Sequence, residues 1–405
     1  MKIFLGCDDI ASILSGLAEG FKDMGHSVTT FVFEKNKFYP DINYDIVFHT
    51  TKKTREKSIL KPFTKIAHWL DSRQSEIELK QKTKEWINEF DLFVFVWRPW
   101  LDEKELFKEI KLADKKIICI HTGSDVRHIS AYKQQYNEDV KLWEHFFHME
   151  DLNEKIRKIR LHELYADAIF SVPDQAGLAI RPYNHLYLPI SKNKKIICNI
   201  PARKVPLLVH APSRSGIKGS SLIMEVVDRL KHEGYQFTFE LIQNMANTEL
   251  IKKLEDADIL VDEVLLHGPG VLSSEAMLAG CAVATRTLKD YKEFFDPPVV
   301  SIDPDNMYSQ LRFLLDNITF RIDLAEKGKQ FAMIRNNPSN IAKQMIHDLK
   351  RKENDYIPRF YIEQYRLPGG VNLNEGNKKL SEIIAKKYYS ESLESIERSK
   401  SRGLL

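Results

Sequence analysis

Cysteine is scarce in this 405-residue chain. Its four residues, Cys7, Cys119, Cys198 and Cys281, lie in or beside apolar strand-like runs, and none forms a CxxC pair. That excludes a disulfide-built scaffold and a CxxC zinc or redox motif, and it fits buried thiols in a reducing cytoplasm. Long apolar runs are missing as well; none reaches the roughly 20 residues a membrane-spanning helix requires. Charge of one sign is hardly in excess: 60 Lys and Arg against 57 Asp and Glu leave +3, which supplies no bulk attraction for nucleic acid. No repeat of solenoid period is found. The opening residues, MKIFLGCDDI, read as a short strand followed by acids rather than a secretory leader.

What is present is alternation. Apolar runs at 2–7, 26–33, 44–49, 91–97, 115–121 and 167–172 read as strands, with helical patterns at 10–24, 74–89 and 103–112 between them. A charged stretch from Ser130 to Tyr165 reads as helical. After the polar, lysine-rich segment 191–195 the series restarts, with strands at 206–212, 237–242, 257–262, 281–285 and 298–302. Leu222, Ile223, Val226, Val227 and Leu230 form the one-sided stripe of a helix, and further helices are expected at 305–316, 320–335 and 338–352. The fold class expected is α/β, with two doubly wound Rossmann-like domains in series. The expected division is a first domain over 1–190, a linker over 191–205, a second domain over 206–352 and a helical or partly disordered tail over 353–405. In such domains ligands bind outside the carboxyl ends of the strands, so the two are expected to share a cleft.

Two loops in the second half carry the functional signal: HAPSRSGIKGS at 210–220 and HGPGVLSSEAMLAGCAVAT at 267–285. Each follows an apolar run and opens a helical pattern. Backbone N–H groups at a helix start have no partner within the helix and suit phosphate oxygens. The first loop adds a cation, Lys218, and the second a carboxylate, Glu275. Free amides and a cation for a diphosphate, with a carboxylate for hydroxyls, suit a nucleotide sugar.

Residues 205–335 resemble the donor-binding half of GT-B glycosyltransferases, in particular the large retaining group 1 family that includes sucrose synthase and lipopolysaccharide and mannosyl transferases. Lys218-Gly219 matches that family's Lys-Gly. HGPGVLSSE matches its Glu-Gly-Phe-Gly followed eight residues on by a second Glu, except that His267 stands where the first Glu is expected. Over the first 190 residues the resemblance rests on HTGSDVR at 121–127.

The resemblance implies roles. Lys218, Gly219, Gly270, Val271 and Leu272 would hold the donor diphosphate, joined by Arg214 because Pro212 occupies the family's usual arginine position. Glu275 would accept from the ribose hydroxyls. His267 and His121 would face the donor sugar as catalytic residues, with Ser124, Asp125 and Arg127 on the acceptor side. Each has a plainer alternative: a solvated lysine, a first-turn glutamate, a turn histidine at 267, a strand-end histidine at 121, and Asp125 as a helix cap. The Asp-x-Asp patterns at 256–258 and 303–305 read as structural, so no metal is expected. The basic stripe KIRKIRLHE at 155–163 packs on its own domain or lies on an anionic membrane surface.

The implied activity is transfer of a sugar from a nucleoside diphosphate sugar to a glycan, lipid-linked or small hydroxyl acceptor, with retention. No cofactor or nucleic-acid partner is expected, and the place is the cytoplasm or the inner face of its membrane. A GT-B sugar-nucleotide epimerase and a non-catalytic sugar-nucleotide-binding protein remain alternatives.

Overall fold

The structure is a computed structural model describing residues 1–48, 61–127, 151–172, 178–181, 183–287, 296–350, 373–384 and 386–388, with side chains from 74 onward in its longest helix. Two parallel sheets organise it. The first contains β1 (Lys2–Cys7), β2 (Ser27–Val32), β3 (Ile46–Val47), β4 (Leu92–Val96), β5 (Lys116–His121), β6 (Ala168–Ser171) and β7 (Asn184–His185), in the order β3-β2-β1-β4-β5-β6-β7. Helices α1 (Ile13–Asp23), α2 (Lys61–Glu89), α3 (Glu103–Leu112) and α4 (Leu152–Tyr165) connect them.

The central strands β1, β4 and β5 are mostly apolar because both of their faces are covered. In β1, Ile3 and Leu5 point into a core with Leu14, Leu17 and Phe21 of α1. Phe4 points the other way, its ring 4.7 Å from Trp86 and 4.8 Å from Trp100. Each such aromatic pair adds about 0.5–1.5 kcal/mol beyond its buried area. Asp102 starts α3 by accepting from the amides of Lys104 (3.0 Å) and Glu105 (3.3 Å).

The second sheet contains β8 (Leu207–His210), β9 (Thr238–Leu241), β10 (Ile259–Val261), β11 (Ala282–Thr285) and β12 (Val300–Ser301), in the order β12-β11-β10-β8-β9. Around it lie α5 (Ser215–Lys218), α6 (Ser220–His232), α7 (Asn247–Asp256), α8 (Val271–Ala279), α9 (Met307–Asp316), α10 (Ile318–Arg335) and α11 (Pro338–Lys350). The stripe foreseen in α6 is real: Ile223, Val227 and Leu230 are fully buried. In each sheet the strand order reverses beside the first strand, between β1 and β4 and between β8 and β10. Those two switch points open the crevices where ligands of such sheets bind.

Several elements depart from the sequence reading. Helix α11, assigned with the second domain, returns to the first lobe: Ile341, Ala342, Met345 and Ile346 share the core of α1. A Cβ on Gly20 of α1 would lie 2.1 Å from the Pro338 carbonyl oxygen, so glycine permits that close crossing. Helix α2 begins at Lys61 rather than 74. Strand β7 and helix α7 were not foreseen. Of the tail, residues 375–384 form a helix on α4, where Asn377 donates to the Asn153 carbonyl (2.7 Å) and Arg160 to Ser381 Oγ (2.9 Å). Residues 130–150, expected to be helical, and most of the tail lie outside the described residues. The membrane alternative for 155–163 fails, because Lys155, Ile156, Ile159 and Arg160 are all buried against protein. Among the described residues no helix is long and apolar enough to cross a membrane.

Candidate active site

The carboxyl ends of both sheets open on one cleft between the lobes, with a cavity of about 700 Å³. Ala11, Trp97 and Thr122–Ser124 line it from the first lobe; Arg214, Lys218, Glu263, the 267–272 turn and Glu275 line it from the second. The lobes also touch directly, where the Asn247 amide donates to the Phe38 carbonyl (2.8 Å).

Helix α8 points its N-terminus at this cavity. Gly270 is its N-cap, and the amides of Val271 and Leu272 precede the helix's own hydrogen-bond ladder. Glu275, in the next turn, is 1% exposed. Its carboxylate receives Lys194 from the linker and the Asn247 amide group, at 3.1 and 3.2 Å to its two oxygens. Lys194 also lies 4.9 Å above the Tyr39 ring.

Lys218 does not stand at the start of a helix. It ends the single turn of α5, and Gly219 separates it from α6. Its ammonium sits 2.8 Å from both Asp262 and Glu263, carboxylates at the end of β10. Burial opposes the lysine's charge, but the two acids outweigh it and raise its pKa. Asp262 also accepts from Ser273 Oγ of α8 (2.6 Å), which ties both loops together. Gly219 is absent from the cavity wall. Its φ is +75°, and a Cβ there would lie 2.3 Å from Val264 Cγ1, so this glycine serves packing. Arg214 is exposed, lines the cavity and makes no ion pair among the described residues.

His267 lines the cavity at 8% exposure. Burial, then the nearby Arg286 and Arg127, depress its pKa to about 2, so its imidazole is neutral. Arg127 reaches the same cavity from the first lobe. The rest of the 121–127 loop divides. Thr122, Gly123 and Ser124 face the cavity, but His121 and Asp125 do not. His121 is buried behind them, its Nδ1 3.0 Å from Asp125 and its ring stacked 5.1 Å from that of His162. Asp125 caps its own loop, accepting from the amides of Gly123 (2.7 Å) and Thr122 (3.2 Å). Lys155 of α4 holds the loop from below by donating to the carbonyls of Ser124 and Arg127. The catalytic placement foreseen for His121 therefore finds it behind the wall, positioning the loop.

The two Asp-x-Asp segments are occupied structurally. Asp258 accepts from the Leu207 amide (2.8 Å) and Arg203 (3.0 Å), and Asp303 accepts from the Asn306 amide (2.8 Å). Asp262, Glu263, Lys194 and Asn247 were missed by sequence reasoning. The acids had a signal: a pair of carboxylates directly after ILV, at the carboxyl end of a strand.

No protein-family model and no curated protein matches the chain. Solved structures do. A sucrose-phosphate synthase from Thermosynechococcus elongatus matches 85% of this chain and 97% of its own at TM-score 0.54 and 13% identity. The catalytic domain of starch synthase IV from Arabidopsis thaliana, bound to ADP and acarbose, matches 90% and 98% at TM-score 0.53 and 11% identity. An alpha-glucosyltransferase in complex with UDP and a 13-mer DNA matches 86% and 99% at TM-score 0.53 and 12% identity. The fold is GT-B. At such identities the likeness carries the architecture alone. The GT-B cleft of this chain is defined by its own residues: the α8 turn, Arg214, the Lys218 ion triad and Glu275 on one side, and the 122–124 loop with Arg127 on the other.

Proposed function

We propose that this protein is a glycosyltransferase that moves a sugar from a nucleoside diphosphate sugar to a hydroxyl acceptor. One observation carries the reading. Anion-binding amides at the start of α8, an exposed Arg214 and the buried carboxylate of Glu275 converge on a single interlobe cavity large enough for a nucleotide sugar. Arg214 and the Val271 and Leu272 amides would take the diphosphate, assisted by Lys218. Glu275 would accept from the ribose hydroxyls. Neutral His267 would meet the sugar.

In the reaction the bond from the anomeric carbon to the diphosphate oxygen breaks, and the acceptor oxygen bonds to that carbon. The acceptor proton passes to the departing phosphate. Positive groups around the diphosphate stabilise the charge it gains as the bond breaks. Attack on the departing face and retention follow from the family resemblance.

The test is a panel of UDP, ADP and GDP with their glucose and mannose conjugates, read by thermal shift and then by sugar release with and without hydroxyl acceptors. A ligand selective for the folded state raises its melting temperature. Stabilisation by at least one sugar nucleotide and its consumption are expected. No stabilisation by any of them would overturn the reading, and binding without turnover would favour a non-catalytic binding protein.

A further inference from the structure

Family resemblance places a carboxylate at position 267, where this chain has histidine. The cavity nevertheless holds a carboxylate beside that turn. Glu263, at the end of β10, lines the cavity and is 5% exposed. Its two oxygens are used differently. Oε2 takes Lys218 at 2.8 Å, whereas Oε1 has no donor among the described residues. Oε1 faces the HGPG turn: it would stand 2.9 Å from a Cβ on Gly268 and 3.9 Å from one on Gly270. Glycine at 268 therefore leaves open the space beside this oxygen that a side chain there would fill.

Asp262 provides the contrast. It is one residue away and equally buried, but it does not line the cavity, and both of its oxygens are engaged, by Lys218 and Ser273. One acid of the pair is thus spent on structure, and the other keeps an open acceptor directed at the turn.

We propose that Glu263 is the residue that accepts a hydroxyl of the transferred sugar, supplying through β10 the carboxylate that position 267 lacks. The inference rests on the donor reading given above. A buried carboxyl with one open oxygen and a fixed cation on the other suits a hydroxyl donor. Lys218 then has two duties: it opposes the burial that raises this carboxyl's pKa, and by holding Oε2 it fixes the direction of Oε1. Neutral His267 next to it adds no charge to compete.

The experiment compares each free nucleoside diphosphate (UDP, ADP, GDP) with its glucose or mannose conjugate by calorimetry. It uses the full chain as wild type, Glu263→Gln and Glu263→Asp. In the wild type the conjugate is expected to bind more tightly than the free diphosphate. Loss of one charge-assisted hydrogen bond should cut that advantage about 10- to 100-fold in Glu263→Gln, with no matching loss of affinity for the free diphosphate. Glu263→Asp keeps the charge beside Lys218 but draws the acceptor back, so it should show the same selective loss and guards against a Gln variant that fails to fold. Parallel losses for diphosphate and conjugate would overturn the inference, as would unchanged binding of both or no wild-type preference for the conjugate. If the wild type binds neither diphosphates nor conjugates, the donor reading falls and this inference with it.

Discussion

Lys194 and Glu275 are 81 positions apart, yet the linker lysine rests its ammonium on the helix carboxylate, with side chains only 9% and 1% exposed. The contact joins the chain between the lobes to the wall of the cavity. It also sets the state of Glu275 before any ligand arrives, since Asn247 donates to both of its oxygens as well. A ribose hydroxyl reaching Glu275 must share these donors or displace one.

Removing one partner of so buried a pair strands the other charge. Lys194→Met should therefore cost about 3 kcal/mol of folding stability. Glu275→Gln in the same chain removes the stranded charge, so the double variant should be more stable than the sum of the single effects predicts. Urea unfolding of all four proteins closes the cycle, and strict additivity would show that the pair is not coupled.

Glu275→Gln has a separate consequence for binding. Free nucleoside diphosphate and its sugar conjugate both carry ribose, so both should weaken in parallel, by about tenfold for one charge-assisted hydrogen bond. A loss confined to the conjugate would move Glu275 from the ribose to the sugar.

The sequence reads Lys218 as a phosphate contact or a solvated lysine. The structure adds a part in the fold, because Lys218 balances Asp262 and Glu263 at 2.8 Å each. Without it two buried carboxylates face each other uncompensated, and about 3–5 kcal/mol of stability should be lost. Chemical denaturation of Lys218→Ala checks this; a loss under about 1 kcal/mol would mean the triad carries little of the fold.

Gly219 separates two readings of the Lys-Gly pair. Its φ of +75° and the 2.3 Å approach to Val264 make it a packing position. Gly219→Ala should cost about 2–4 kcal/mol from left-handed strain and overpacking together. A variant of unchanged stability with weakened nucleotide binding would return Gly219 to the phosphate site.

What the sequence made legible was local. The continuous apolar runs of β1, β4 and β5 mark strands covered on both faces, and the stripe of α6 follows a period of 3.6. The 267–285 loop was legible because its turn glycines and its helix are contiguous. Pairing over distance was not: the apolar face of α11 says that Ile341 and Met345 are buried, not that they are buried against α1. Lys218 with Asp262 lies 44 positions apart, and nothing in either segment names the other. Strand β7 is two polar residues, Asn184–His185, with no pattern to detect. His121 had an unused signal. On β5 it shares parity with Ile117 and Cys119, the face turned into the aromatic core, which places its ring behind the cleft.

His267 allows a test by acid. In the folded protein its pKa is depressed from 6.5 to about 2, first by burial and then by Arg286 and Arg127. Between those values the unfolded chain binds a proton that the folded chain refuses. The stabilising contribution of the neutral imidazole is therefore complete above pH 6.5 and falls as pH drops below it, by about 1.4 kcal/mol per unit. His185, depressed to about 3, acts in the same direction. Glu263 opposes them: its raised pKa means the folded state binds the extra proton, so its contribution improves as pH falls toward the ordinary carboxylate range. The net slope mixes these groups, and the comparison that isolates His267 is wild type against His267→Gln. Urea unfolding at pH 7.5, 6.5 and 5.5 should show the wild type losing ground to the variant by about 1 kcal/mol between the last two points. Parallel stability curves would mean that His267 takes up its proton in the folded cleft, and that its imidazole meets the donor charged rather than neutral.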